Sequence, residues 1–155
     1  MKVIFLDIDG VLNSKKFFKS DYTYAAPDDS LDPYAIKKLN KIVDKTGAEI
    51  VVSSTWRIGK SVDDLENILN RNGFTGHVID KTEDLIHERK TRGDEIKKWL
   101  DEHLNIDSFV IIDDFNFPKF EKYFSTRFVQ TDDRVGLSNQ DADKCVDILQ
   151  TNYKE

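Results

Sequence analysis

The sequence predicts an α/β fold, a Rossmann-like three-layer sandwich with a central parallel sheet. Three observations carry that expectation. Short apolar runs alternate with stretches of helical period along the chain, which is how an α/β sandwich reads. Three of the runs are continuously apolar, as parallel strands buried on both faces are. The chain has 155 residues, 39% of them hydrophobic, enough for one ordinary core and too few for two, so residues 1–155 are expected to form one domain.

The strand candidates are Val3–Leu6, Glu49–Val52, Phe109–Ile112 and Arg127–Gln130, with a weaker one at His77–Ile79. Between the first two, Asp32 and Pro33 open a helix, Ile36, Leu39 and Val43 share one face, and Gly47 ends it. Ser61 and Asp64 form a capping-box pair for a second helix, which runs through Leu65, Ile68 and Leu69 to Asn72 and Gly73. A third follows Gly93, with Ile96, Trp99, Leu100 and Leu104 at helical spacing. A fourth follows Ser138, with Ala142, Cys145, Val146 and Leu149. Trp99 is expected in the core. Residues 13–30 fit neither period and are read as a long loop or short flap.

A formal charge of −6 excludes a generally basic surface of the kind that binds nucleic acid or anionic membranes, though not a local patch. The single cysteine, Cys145, has no partner for a disulfide and is expected as a small buried side chain. The N-terminal run meets Asp7 too soon for a signal peptide or a membrane span. These features lead to an expectation of a reducing, cytoplasmic setting with no membrane contact, and nothing calls for an obligate protein partner. His77, His87 and His103 show no metal-ligand spacing and are assigned no chemistry.

The chemistry lies at the ends of the apolar runs. The first ends in Asp7-Ile8-Asp9-Gly10, where a period of two puts both carboxylates on one side and Gly10 permits a sharp turn. Phe109–Ile112 ends in Asp113 and Asp114. In a parallel α/β sheet the strand C-termini share one edge, so the four carboxylates converge there and need a cation. Hard oxygen ligands point to magnesium. Glu49–Val52 ends in Ser53-Ser54-Thr55-Trp56-Arg57, which brings hydroxyls and backbone amides to the same edge, where they can bind a phosphate oxygen. Arg57 and Trp56 are candidates to contact substrate. Glu88 to Gly93 supplies cations just before a helix, and the choice between Lys90 and Arg92 stays open.

With Asp7-Ile8-Asp9-Gly10-Val11-Leu12 and these later segments in order, the chain resembles the haloacid dehalogenase (HAD) superfamily of phosphohydrolases, of a capless or minimal-cap type. It also looks like the phosphatase domain of polynucleotide kinase-phosphatases. The resemblance implies that Asp7 is the nucleophile of an aspartyl-phosphate pathway and Asp9 the general acid and base. It makes Ser53 a ligand of phosphate oxygen, supported by Ser54 and Gly10. It implies a magnesium held by Asp7, the main-chain carbonyl of Asp9 and Asp113, with Asp114 as a second ligand or support. With no room for a large cap, an open site suits a nucleotide, a phosphorylated nucleic-acid end or a phosphoprotein better than an enclosed metabolite. Lys15, Lys16, Lys19, Arg57 and Lys60 are candidates to line such a groove. Two other readings are a receiver-like domain and a noncatalytic member. The first is disfavoured by Ser53 at the place of a receiver's phosphorylated aspartate, the second by intact Asp7, Asp9 and Asp113.

Overall fold

The computed structural model describes residues 1–20 and 28–153. Its five strands are β1 (Lys2–Leu6), β2 (Glu49–Val52), β3 (Val78–Lys81), β4 (Ser108–Asp113) and β5 (Phe128–Gln130). They form one parallel sheet in the order β3-β2-β1-β4-β5. The strand order reverses between β1 and β4, and such a switch point opens a crevice at the carboxyl ends of the two strands.

Alternation along the strands sorts the core into two layers. Ile4 and Leu6, Ile50 and Val52, and Val110 and Ile112 face α2 (Pro33–Thr46), α3 (Val62–Arg71) and α6 (Asn139–Leu149). Val3, Phe5, Val51, Phe109 and Ile111 face α4 (Arg92–Glu102) and α5 (Phe120–Phe124). The helices are punctuated as their sequences require. Asp32 accepts the Tyr34 amide, Pro33 occupies the first turn, and Gly47 closes α2 at φ 70°. Capping boxes open α3 at Ser61 and Asp64 and α6 at Ser138 and Asp141. Trp99 and Cys145 are buried. No described helix is long and apolar enough to cross a membrane.

The structure departs from the sequence reading at several edges. Leu104 is not on the apolar face of α4, because the helix stops at Glu102 and Leu104 is 77% exposed. His103 caps it instead, its ring stacked on Trp99 at 3.8 Å. The weak strand lies at Val78–Lys81 rather than at His77–Ile79. Arg127 falls just outside β5, its guanidinium turned to Ser108 Oγ and the carbonyls of Ile148 and Thr151. Two short helices, α1 (Lys15–Phe18) and α5, span too few residues to show a period.

The expected flap at 13–30 lies partly outside the described residues. Its first part is docked: Asn13, Ser14 and Phe17 are buried, and the amides of Lys15 and Lys16 donate to the carbonyls of Asp133 and Arg134.

Candidate active site

The backbone ladder brings three site residues into one row. Leu6 pairs with Val52 on one side and with Ile112 on the other, so the next residues of each strand, Ser53, Asp7 and Asp113, stand abreast at the carboxyl edge. The Ser53 amide donates to Leu6 O at 3.1 Å and the Asp7 amide to Ile112 O at 3.0 Å, which extends the ladder to this row.

Asp7 is 5% exposed and Asp113 fully buried. Carboxylate oxygens of Asp7, Asp113 and Asp114 lie within 4.8 Å of one another. Burial, and after it repulsion from Asp113, push the Asp7 carboxyl up to about 8 against the pull of Arg92. Burial also raises Asp113, again opposed by Arg92. Three acidic groups sharing so small a volume in low dielectric are short of positive charge. Three hard oxygen donors are a donor set that suits magnesium.

Arg92 opens α4 and reaches back into the cluster. Its Nη1 is 2.7 Å from Asp113 Oδ2 and 3.2 Å from Asp7 Oδ1. Lys90 is exposed and makes no ion pair among the described residues. Of the two cations the sequence left open, Arg92 is thus the one placed at the carboxylates. Its guanidinium lies 4.6 Å from the centre of the Phe117 ring.

Asp9 stands apart. β1 ends at Leu6, so the period of two lapses before it reaches Asp9, which is exposed while Asp7 and Ile8 are buried. Its carboxylate is not among the three that cluster. Oδ1 of Asp9 accepts Asn13 Nδ2 at 2.9 Å and Trp56 Nε1 at 3.2 Å. Asn13 Oδ1 in turn accepts the Gly10 amide at 2.9 Å. Gly10 is required here twice over. Its φ is +81°, and a Cβ would sit 2.4 Å from an Asp114 carboxylate oxygen.

Ser53 Oγ is buried without a partner among the described residues. An orphaned buried hydroxyl costs free energy unless something completes it, and this one is beside Asp7. Ser54 caps the short 3-10 turn Thr55–Arg57, its Oγ accepting the Trp56 amide at 3.2 Å. Arg57 is 4% exposed and committed to the protein. Its guanidinium donates to the carbonyls of Thr82, Ser53 and Ser54 and to Glu95 Oε2 at 3.0 Å. That arrangement commits four of the five guanidinium N–H groups and ties the end of β2 to α4. Among the other groove candidates, Lys15 pairs with Asp133 at 3.3 Å, and Lys60 lies 5.9 Å from the centre of the Trp56 ring. Lys16 and Lys19 are exposed.

Asn13, Glu95 and Thr131 were not singled out from sequence. For Asn13 a signal existed, a short polar amide three residues beyond a turn glycine, where Asn readily bonds local backbone. For Glu95 the signal was an acid on the apolar side of α4, one residue before Ile96. Thr131 Oγ1 donates to Gly10 O at 2.8 Å and had no signal.

A parallel five-stranded sheet with a carboxylate cluster at its switch point defines a Rossmann-like domain of the HAD class. The family described as "HAD domain in Swiss Army Knife RNA repair proteins" matches residues 3–142, and the chain belongs to it. No curated protein and no solved structure matches the chain.

Proposed function

We propose that the protein is a magnesium-dependent phosphomonoester hydrolase that works through an aspartyl-phosphate on Asp7. The observation that carries the reading is the row of Ser53, Asp7 and Asp113 across the switch point, with Arg92 bridging the two carboxylates. An Asp7 oxygen attacks phosphorus while the ester bond to the leaving oxygen breaks. Asp9 gives its proton to that oxygen. Water then attacks the aspartyl-phosphate, Asp9 takes up the proton, and inorganic phosphate leaves with Asp7 restored. Because Asn13 and Trp56 both hold Oδ1 of Asp9, Oδ2 is the atom that carries the proton.

Arg92 offsets charge on the phosphoryl oxygens, and Ser53 Oγ gains in them the partner it lacks. Magnesium, held by Asp7, Asp113 and Asp114 with the Asp9 carbonyl, would supply Lewis-acid charge neutralisation. Lys90, exposed and two residues before Arg92, is assigned to substrate approach.

The substrate we infer is a phosphorylated nucleic-acid end or a nucleotide. The support is the family's occurrence in RNA repair proteins and the shortness of the 13–30 stretch, which is too brief in sequence for a large cap domain. A cytoplasmic setting belongs to the same proposal, in keeping with a buried, unpaired Cys145.

The test is phosphate release from an aryl phosphate, nucleotides and phosphate-ended oligonucleotides, with and without magnesium. The wild type should turn over only with the metal, and Asp7→Asn should lose about 1,000-fold or more, the scale of removing a group that acts in the transition state. Full turnover by folded Asp7→Asn protein would remove the covalent mechanism.

A further inference from the structure

The loop after β4 carries an exposed phenylalanine fixed beside the carboxylates. Phe115 is 56% exposed, and its amide donates to Asp113 Oδ1 at 3.0 Å. Its ring meets Phe117 edge-on with centroids 4.7 Å apart. Phe117 packs in turn on buried Phe120 at 5.7 Å and lies against Arg92. The exposed ring is therefore two contacts from the guanidinium that touches Asp7. Single exposed apolar side chains are ordinary. Among the described ones, Phe115 is distinguished by an amide bonded to a carboxylate of the cluster.

The same loop is pinned to the start of α4. Thr91 Oγ1 donates to Pro118 O at 3.3 Å, and Gly93 leaves room for that carbonyl, which a Cβ would meet at 2.9 Å. The exposed cations Arg89 and Lys90 immediately precede this junction.

We propose that Phe115 is a stacking platform for the nucleobase adjoining the phosphate that is removed. The inference rests on the reading of the site as a phosphatase for nucleic-acid ends, and adds how such an end is held. A chain of net charge −6 cannot draw a polyanion by bulk electrostatics, so affinity must come from local contacts. An aromatic face accepts any base, so the platform holds an end without reading its sequence. Arg89 and Lys90 offer charge to the phosphates of the adjoining nucleotides.

The experiment compares steady-state kinetics of wild type, Phe115→Ala and Phe115→Trp. Its substrates are a phosphate-ended single strand, the same strand with an abasic terminal sugar, and ribose phosphate. On the base-bearing end, Phe115→Ala should lose about tenfold or more in kcat/KM relative to the abasic end, through KM, and Phe115→Trp should recover it. An equal effect on base-bearing and abasic ends, or none, would overturn the platform while leaving the phosphatase intact. Release from ribose phosphate but from neither oligonucleotide would overturn the nucleic-acid reading itself, and the platform with it.

Discussion

Asp9 gives one of its two carboxylate oxygens to Asn13 and Trp56, and the proton transfer proposed for it falls to the other oxygen. Removing the Asn13 amide should loosen Asp9 more than it loosens the fold. Asn13→Ala is expected to lower kcat about tenfold, because misplacing an acid is costly in rate, while costing ~1 kcal/mol in stability. The drop should be larger for alkyl than for activated aryl phosphates, since only the former need a proton on the leaving oxygen. Equal drops would count against Asp9 as the acid. Asp7 has a different signature. With its carboxyl raised from 3.8 when unfolded to about 8 when folded, the native state holds a proton that the unfolded chain has released between those values. Its contribution to stability is present below pH 4 and is lost as pH rises through 8, by at most ~1.4 kcal/mol per unit. Chemical denaturation of the metal-free protein should show this fall, and Asp7→Asn should reduce it, leaving the part that burial of Asp113 contributes. A metal-free protein whose stability rises from pH 5 to 8 would show the cluster to be less strained than its burial implies.

Among the elements, α4 ties the site together, since it carries Arg92 to the carboxylates and Glu95 to Arg57 one turn later. The Arg57–Glu95 pair is buried on both sides, and Glu95 also accepts the Leu85 amide at 2.8 Å. Glu95→Ala strands a buried guanidinium and is expected to cost ~3–5 kcal/mol, whereas replacing both residues by apolar ones should cost less. Urea unfolding of the single and double variants reads the difference, and a double variant no better than the single would deny the pair its role. This pair also shows where sequence reading stopped. Arg57 looked like a substrate contact because it follows a strand end, and an acid 38 residues away that would engage it cannot be read from local pattern. Capping at Ser61 and Asp32 was legible because those bonds close within three residues. Leu104 kept the helical period but lost the helix to a histidine ring stacked on Trp99, a contact that periodicity does not record.

For the whole molecule, strand order was the missing quantity. Continuous apolar runs announced a parallel sheet, but only the order β3-β2-β1-β4-β5 puts Asp7 and Asp113 abreast at the reversal, 106 residues apart in the chain. The acidic pairs were visible as strand-end carboxylates; that Asp9 leaves the cluster follows from β1 ending at Leu6, while Asp114 joins it directly after β4. A site assembled from β1, β2, β4 and α4 exists only in the folded chain, so magnesium should stabilise the native state by linkage, ~2.7 kcal/mol at a hundredfold excess over Kd. The most direct test of the account is to quench the enzyme during turnover of a phosphate-ended substrate with magnesium, reduce it with borohydride, and sequence its peptides by mass spectrometry. Homoserine at position 7 is the predicted result, since borohydride reduces an acyl phosphate there; phosphate release with every aspartate unmodified, or with the change at Asp9 or Asp113, would contradict the mechanism.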